Sequence, residues 1–405
     1  MNGPVELREY GEPVSRALPD AVGRALAAAG VVESATPDPY LPGNWRLRAG
    51  SKVGAVTVTA AGAEPVTVRI APKVTIGRLF FLLGYSLDPR GWRDDGLVDV
   101  AEERGLLPAL AHAYERQVAR ALGRGVLQGY RHTEDAALVV RGRILEAEQI
   151  RRRFGAALPV EIAYDEFTTD IAENRLLRAA TERLLRVPGV PRDVRARLLH
   201  QRARLADVMP LVRGQRRPDW RPSRLNARYQ PALRLAEMIL AGASVEHRVG
   251  GRARVEGFLF DMNKVFEDFV CVALREALRQ FGGRCALQAR GVYLDEADTV
   301  RMRPDLVWNG EEGGPIAVAD AKYKAEKRGA FPDADLYQML AYCAALGLGE
   351  GHLVYARGSA TRTSHRVRGA DIVLHQHALA LDRPPDALLA QLRTLAGWMA
   401  RGVTG

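Results

Sequence analysis

A short apolar segment that ends in ionisable residues constrains the fold of this chain more than any other feature. Ile316–Ala321 consists of Ile, Val and Ala apart from Asp320, and Lys322 follows it directly. Residues two apart on a strand point to the same face, so Asp320 and Lys322 would share a face. A turn rich in glycine links this segment to a second predicted strand, Asp305–Trp308. An antiparallel hairpin over these residues would bring Asp305 towards Asp320.

The polar groups of this hairpin suit metal-assisted phosphate chemistry. Ionisable groups in an apolar strand are costly unless they serve a site. Asp305, Asp320 and the Ala321 carbonyl would supply hard oxygen ligands for Mg²⁺, with Mn²⁺ as the alternative ion. Lys322 would position the attacking water or stabilise charge on the phosphoryl oxygens. The alternative is an exposed hairpin with ordinary surface charges. Lysine is scarce, however, with six lysines against 52 arginines, and three of the six lie within residues 322–327.

Two flanking segments carry further candidates for the same site. Glu267 lies on a predicted helix before the hairpin and would add a carboxylate, although a solvated helix face is the favoured explanation when this residue is taken alone. Gln338 and Tyr342 lie one turn apart on a predicted helix after the hairpin. They would hold a DNA backbone or the lysine. The alternative is an amphipathic helix whose tyrosine packs in the core.

The order of predicted elements indicates an α/β (α+β) multidomain chain. Residues 1–90 are β-rich, residues 91–245 are mainly helical, and residues 246–405 follow an α/β layer order. The last region would form a mixed central sheet flanked by helices. The main predicted strands are Val53–Ala60, Val66–Ile70, Cys285–Leu294, Asp305–Trp308, Ile316–Ala321, Leu353–Tyr355 and Asp371–His375. The main predicted helices are Leu107–Leu122, Asn174–Leu185, Lys264–Gln280, Asp335–Leu346 and Pro385–Arg401.

Taken in order, these motifs resemble those of PD-(D/E)xK nucleases, in particular the RecB-like branch. The motifs are Glu267, Pro304-Asp305, Asp320-Ala321-Lys322 and the Gln338–Tyr342 helix. More narrowly, the chain is similar over nearly its whole length to the McrC family, the nuclease subunits of McrBC-type modification-dependent restriction systems. The supporting stretches are Ile70–Val74, Asp170–Leu177, Asn226–Tyr229, Phe258–Val270, Asp320–Lys324 and Tyr337–Tyr342.

The resemblance implies a restriction-endonuclease-like C-terminal domain that cleaves double-stranded, modified DNA with Mg²⁺. Asp305, Asp320 and Lys322 would be catalytic, and Glu267 and the Ala321 carbonyl would join the two aspartates around the metal. The residues expected to contact DNA or support the site are Arg303, Lys324, Gln338 and Tyr342.

The family also implies a partner. McrC-like proteins bind a hexameric ring of the AAA+ GTPase McrB and stimulate its hydrolysis, so residues 1–90 and the helical region would dock on such a ring. No G-x-x-x-x-G-K-[ST] phosphate loop occurs, and no Gly is followed by Lys. We therefore expect no nucleotide site in this chain and a motor on another chain.

Composition adds weaker constraints. The formal charge of +10 permits a polyanionic partner such as DNA. The arginine-rich stretch Arg192–Arg228 fits solvated helix faces, DNA backbone contact or contact with an acidic ring surface. His375 and His377 share a strand face without further ligands nearby, so we expect them to be structural. The absence of a signal sequence or long apolar run, and only three scattered cysteines, favour the cytoplasm and no membrane contact.

Two other functions stay open at this point. The chain would be a non-catalytic adaptor that activates a partner NTPase, with the nuclease fold as a scaffold. Alternatively, it would be a stand-alone RecB-like exonuclease. The intact acidic and lysine positions argue against the first, and the large region before residue 246 argues against the second.

Overall fold

The computed structural model describes residues 3–90, 105–154, 156–212, 215–249, 253–323, 333–356 and 362–401. The chain forms two compact units. The first combines both ends of the chain, Met1–Leu106 and Gly242–Gly405, and the second is Leu107–Ala241. Within the described ranges, we find no helix with both the length and the apolar character needed to cross a membrane.

The described residues in the N-terminal part of the first unit form six strands and two helices. They are β1 (Val5–Arg8), β2 (Val14–Ala17), α1 (Asp20–Ala28), β3 (Ser34–Pro37), β4 (Asn44–Arg48), β5 (Lys52–Ala60), β6 (Val66–Ala71) and α2 (Ile76–Leu87). β5 and β6 match the two strands predicted from β-branched residues. Thr75 caps α2, because its side chain accepts a hydrogen bond from the backbone N of Arg78 at 3.2 Å.

The second unit contains five helices and three strands among its described residues. They are α3 (Leu106–Leu122), β7 (Gly129–Ala137), β8 (Arg143–Ile144), α4 (Glu146–Arg153), β9 (Val160–Thr168), α5 (Ala172–Arg186), α6 (Arg192–Arg204) and α7 (Gln230–Ala241). The helices agree with the prediction of a mainly helical region, but the antiparallel sheet β7-β9-β8 was not expected from the sequence. β7 has no buried residue. It therefore lacks the alternation of apolar and polar residues by which a half-buried strand is recognised.

The C-terminal part of the first unit supplies the remaining elements. They are β10 (Ala243–Val249), β11 (Ala253–Asp261), α8 (Met262–Leu278), β12 (Arg284–Leu287), β13 (Val292–Tyr293), β14 (Arg301–Met302), β15 (Leu306–Asn309), β16 (Pro315–Lys322), α9 (Asp333–Leu346), β17 (Glu350–Ala356), β18 (Arg362–Arg366), β19 (Val373–Leu379) and α10 (Pro385–Arg401). The predicted strand Cys285–Leu294 is divided into β12 and β13. Gln288, between them, has a positive φ of 49°, which interrupts the extended backbone.

A five-stranded sheet joins the two ends of the chain. Its order is β1-β6-β5-β11-β10, and β5 pairs with β11 along its whole length, from Lys52↔Asp261 to Ala60↔Ala253. The sequence predicts separate domains at 1–90 and 246–405, whereas the structure places both regions in one unit. Local patterns reveal each strand but not which distant strand it pairs with.

The second large sheet is mixed and carries helices on both faces. Its order is β12-β15-β16-β17-β19-β18, with β16, β17 and β19 parallel. Val318, Leu353 and Leu374 point to one face and pack with Met339 of α9. On the other face, Trp398 of α10 stacks on a histidine of β19. This mixed sheet between helices agrees with the α/β fold predicted for the C-terminal region.

Candidate active site

The β15–β16 hairpin brings the two predicted aspartates together. The register pairs Leu306 with Ala319, and one step further it leaves Asp305 opposite Asp320. The Oδ2 atom of Asp305 accepts a hydrogen bond from the backbone N of Ala321 at 2.9 Å. Asp305 is 8% exposed and Asp320 is 3% exposed. Two carboxylates are therefore held at the end of a central strand in a position that is largely shielded from solvent.

The carboxylates in this place repel one another. Burial and then the charge of the neighbouring Asp320 raise the pKa of Asp305 to about 6, against the opposing effects of the Ala321 N–H and Lys322. Burial likewise raises the pKa of Asp320, although Lys322 counteracts it. Burial, followed by the charge of Asp305, raises the pKa of Glu267 on α8. These acids share a region that is short of positive charge.

Lys322 is the cation that contacts Asp320. Its Nζ lies 2.5 Å from Oδ2 of Asp320 and donates a hydrogen bond to Oε1 of Gln338 at 2.8 Å. Burial would lower the pKa of Lys322, but the carboxylates of Asp320, Asp335 and Asp305 outweigh burial and raise it. The ammonium group is therefore charged and held in one position.

The Gln338–Tyr342 helix holds this lysine through a chain of hydrogen bonds. Nε2 of Gln338 donates to the Tyr342 hydroxyl at 2.7 Å, and that hydroxyl donates to the carbonyl of Arg303 at 3.3 Å. Tyr342 is also 3% exposed and packs in the core. Of the alternatives that the sequence leaves open, this geometry favours support of the lysine together with core packing. Lys324 lies outside the described residues.

Gln288 is a site residue that the sequence analysis missed. Its Nε2 donates to Oδ1 of Asp305 at 2.8 Å and also to Oε1 of Glu267. Its backbone N donates to the carbonyl of Asp305 at 2.8 Å. Gln288 therefore ties Glu267 to the hairpin. No motif marks it, because it reaches the site only through the pairing of β12 with β15.

Asp335 is a second residue that the sequence analysis did not assign to the site. It is 3% exposed and lies in the first turn of α9. The Tyr355 hydroxyl of β17 donates to its Oδ2 at 3.3 Å. Its charge raises the pKa of both Asp320 and Lys322. The only sequence signal was an acidic residue three positions before Gln338.

The donor set fits a hard divalent cation. Asp305, Asp320 and the Ala321 carbonyl supply oxygens, and the mutual repulsion of the buried acids is the effect that a cation relieves. Within the described ranges, no three His, Cys, Asp or Glu side chains form a complete metal-binding cluster. A cation here would therefore rest on two carboxylates, a carbonyl and water, as Mg²⁺ usually does. Oε1 of Glu267 is engaged by Gln288 and by Lys264 at 3.2 Å.

The predicted structural histidines lie on the opposite face of the sheet. His375 and His377 of β19 adjoin His352 of β17, and Nδ1 of His352 lies 3.1 Å from Nε2 of His377. The third histidine was not expected from the sequence. It joins the pair because the parallel register places His352 beside His375.

Several arginines of the 192–228 stretch make contacts inside the second unit. Arg197 pairs with the buried Glu115 at 2.9 Å, Arg195 donates to the carbonyl of Val187 at 3.0 Å, and Arg204 donates to that of Leu122. Others lie on the surface, such as Arg216, which pairs with Asp219 at 2.9 Å. The stretch is therefore partly structural, a role that was not among the three alternatives.

Comparison with known proteins gives the family. No curated protein matches the chain. A chain from the refined half-complex of the tetradecameric assembly of Thermococcus gammatolerans McrB AAA+ hexamers with bound McrC is similar in fold. The TM-score is 0.55 and the identity 16%, over 98% of this chain and 100% of that one. A chain from the cryo-EM structure of the Thermococcus gammatolerans McrBC complex covers 68% of this chain and 88% of its own, at 18% identity. Its TM-score of 0.38 is too low to carry an argument.

A family model bears directly on the resemblance predicted from the sequence. The model described as "McrBC 5-methylcytosine restriction system component" matches residues 47–356. This match includes the hairpin, the Gln338–Tyr342 helix and the whole of the second unit, and it confirms the predicted resemblance. Because it covers more than half of the chain, the protein belongs to the McrBC 5-methylcytosine restriction system component family.

Proposed function

We propose that this chain is the metal-dependent endonuclease subunit of an McrBC-type restriction system and that it cleaves modified double-stranded DNA. The observation that carries the proposal is the buried pair Asp305 and Asp320 beside the fixed ammonium of Lys322. A structural scaffold has no need for three mutually repelling acids around one lysine. Perturbed pKa values in such a cluster are typical of reaction sites.

Each residue of the site has its own role in the proposed cleavage. Asp305, Asp320 and the Ala321 carbonyl would hold Mg²⁺, which polarises the scissile phosphate and lowers the pKa of the attacking water. Lys322 donates to the phosphoryl oxygens as negative charge develops on them. Gln338 keeps the Lys322 ammonium in place, and Gln288 keeps Glu267 next to Asp305. The buried position of both aspartates excludes bulk water, which strengthens each of these interactions.

The test is cleavage of 5-methylcytosine-containing DNA by this chain together with its NTPase partner and Mg²⁺. We expect Asp320→Ala to lower the rate at least about 10³-fold, in the range seen when a charge-stabilising group is removed. The matched control is Asp371→Ala, because Asp371 is an almost fully exposed surface acid. Stimulation of the partner's NTPase by both variants, with cleavage lost only in Asp320→Ala, supports the proposal. Undiminished cutting by Asp320→Ala would refute it, and stimulation by the wild type without any cutting favours the adaptor function.

We further propose that the second unit contacts an AAA+ NTPase ring. The similar structure contains McrB AAA+ hexamers with bound McrC, and the β7–β9 region of this chain exposes large apolar side chains. These are Tyr130, Leu138, Val139, Val140, Ile144, Ile150, Phe154, Leu158 and Phe167. A surface patch of this kind commonly marks a protein-binding site. It makes the second unit a better candidate for the main ring contact than residues 1–90.

Paired serine substitutions test this contact. We expect Ile150→Ser with Phe154→Ser to abolish stimulation of the partner's NTPase, because apolar anchors dominate such interfaces. Met209→Ser with Leu199→Ser is the matched control, since both side chains are exposed in the same unit outside the β7–β9 region. Equal stimulation by both double variants would place the contact elsewhere.

A further inference from the structure

A buried glutamate connects the N-terminal sheet to the candidate active site. Glu9 follows β1 and is 1% exposed, and its backbone N donates to the carbonyl of Ala71 at 3.0 Å. Its Oε2 accepts two hydrogen bonds, from the backbone N of Lys73 at 2.9 Å and from the Tyr323 hydroxyl at 3.2 Å. A carboxyl group is costly to bury. Nothing in the proposed chemistry uses this one directly.

Tyr323 occupies a position between two residues of the site. It directly follows Lys322 in the chain, and its ring packs against Phe266 with centroids 5.7 Å apart. Phe266 directly precedes Glu267 on α8. A movement of the Tyr323 ring would therefore be transmitted to the ends of both elements that carry site residues. Within the described residues, the Tyr323 hydroxyl makes one hydrogen bond that we observe, and its acceptor is Glu9.

Neighbouring residues of the N-terminal part reinforce this connection. The hydroxyl of Tyr10 approaches Oδ1 of Asn263 at 3.4 Å, and the backbone N of Met262 donates to the carbonyl of Ser51 at 2.9 Å. Both contacts reach the first turn of α8. Lys73 also covers the ring of Tyr10, with Nζ 4.8 Å from its centroid. The start of α8 and the end of β16 are thus both attached to the N-terminal part.

We propose that Glu9 is a positioning residue for DNA cleavage, which acts through Tyr323 to fix Lys322 at the end of β16. The inference rests on the proposed nuclease function. It also gives a reason for joining the two ends of the chain in one unit: the N-terminal strands complete the support of a site that residues 242–405 do not hold alone.

The hydrogen bonds of Glu9 specify what a substitute must provide. Both donors converge on Oε2, so the contact needs one acceptor oxygen rather than a negative charge. Burial raises the pKa of Glu9 to about 7, against the opposing effects of Lys73 and Tyr323 and with a small contribution from Asp261. The neutral form is thus readily accessible. Glutamine, which keeps the acceptor without the charge, should therefore replace Glu9, whereas leucine of similar size should not.

The experiment measures cleavage of 5-methylcytosine-containing DNA by the complex with the NTPase partner. We expect Glu9→Leu and Tyr323→Phe each to lower kcat about tenfold, because displacement of a catalytic group by a fraction of an ångström is costly. The double variant should lose no more than either single variant, since both remove the same contact. KM for DNA and stimulation of the NTPase should stay unchanged, and Glu9→Gln should keep kcat within about threefold of the wild type.

Val68→Ala is the matched control for lost stability, because Val68 is fully buried in β6 of the same sheet, and β6 bears no site residue. Its kcat should equal that of the wild type at a temperature where both are folded. A wild-type kcat in Tyr323→Phe, an additive double variant, or equal losses in Glu9→Gln and Glu9→Leu would each overturn the inference. Asp320→Ala in the same assay separates the two proposals. If the wild type cuts no faster than Asp320→Ala, the nuclease function fails and the inference fails with it.

Discussion

The two faces of the six-stranded sheet bury titratable groups in opposite ways. On the acid face, Asp320 and Lys322 lie near Asp305 and Asp335. On the histidine face, His352, His375 and His377 lie side by side, at 1%, 5% and 7% exposure. Both clusters have shifted pKa values and both lie in the same fold unit. Burial and perturbation alone therefore do not distinguish a reaction site from a structural cluster.

On the histidine face, one nitrogen of each ring has a polar neighbour, while Nε2 of His352, Nε2 of His375 and Nδ1 of His377 are buried without a hydrogen bond to the described residues. His352 and His377 hydrogen-bond to each other, and Nδ1 of His375 lies 2.8 Å from the hydroxyl of Ser364. Trp398 stacks on His377 with centroids 5.5 Å apart. Burial lowers the pKa of all three histidines. Neutral rings at neutral pH repel one another little.

The acid face keeps an imbalance of charge that its own residues do not remove. Burial and repulsion among Asp305, Asp320 and Glu267 raise their pKa values, and Lys322 beside Asp320 and Lys264 beside Glu267 offset the repulsion only in part. The ionised forms are nevertheless those that bind a cation. The useful signal is thus repulsion that a ligand would relieve, rather than burial.

The largest expected difference between the faces is in cleavage. Lys322→Met should lower the rate about 10³-fold or more, because it removes the ammonium group that lies beside Asp320 and Gln338. His377→Gln should leave the rate within about twofold, since glutamine keeps a polar partner for His352. The rates are compared for folded complexes with the NTPase partner. Similar losses in both variants would abolish the distinction between the faces.

The faces also differ in how far the sequence predicts them. The hairpin was predictable because Asp305, Asp320 and Lys322 are close in sequence and lie on or next to strands with a clear apolar pattern. Gln288 and His352 were not, since each reaches its cluster through the pairing of separate strands. For the same reason, the sequence did not predict that the first unit combines both ends of the chain: β5 pairs with β11 across about half of the chain.

The next largest effect concerns stability, and here the histidine face should dominate. His352→Ala should lower the free energy of unfolding by about 2–4 kcal/mol, because it leaves a cavity and an unpaired His377 in the core. Cleavage by the folded fraction should not change. Denaturant unfolding and cleavage are measured on the same preparation. If the cleavage rate falls by more than the loss of folded protein explains, the histidine face takes part in the reaction.

The dependence of stability on pH should have opposite signs for the two faces. Burial lowers the pKa of His377 to about 3, below about 6.5 for an unfolded chain. Its contribution to stability is therefore present above pH 6.5 and is lost as the pH falls towards 3. The raised pKa of Asp305, about 6, acts the other way: its ionisation costs stability as the pH rises through 6.

Urea unfolding between pH 7 and 5 separates these contributions. Against the wild type, His377→Gln should lose less stability on acidification, by up to about 1.4 kcal/mol per pH unit for one proton. Arg362 favours the neutral ring of His377, as does the neighbouring His375. Because His377 is buried, salt should weaken this dependence of stability on pH only slightly. Parallel curves for the two proteins would mean that His377 does not titrate on unfolding in this range.

The smallest expected effect tests the repulsion itself, and its sign is decisive. Glu267→Gln removes a charge that opposes Asp305, while Lys264 keeps its second partner, Asp268, at 2.7 Å. We therefore expect the metal-free protein to gain about 0.5–1 kcal/mol of stability at pH 7, and added Mg²⁺ to stabilise it less than the wild type.

Glu276→Gln is the matched control on α8: the side chain of Glu276 is 16% exposed against 21% for Glu267, but it faces Arg279 at 2.8 Å and Arg90 at 3.4 Å. Removal of that charge should lower stability. If both variants are destabilised alike, the acids of the acid face do not repel one another enough to require a cation, and the contrast with the histidine face loses its basis.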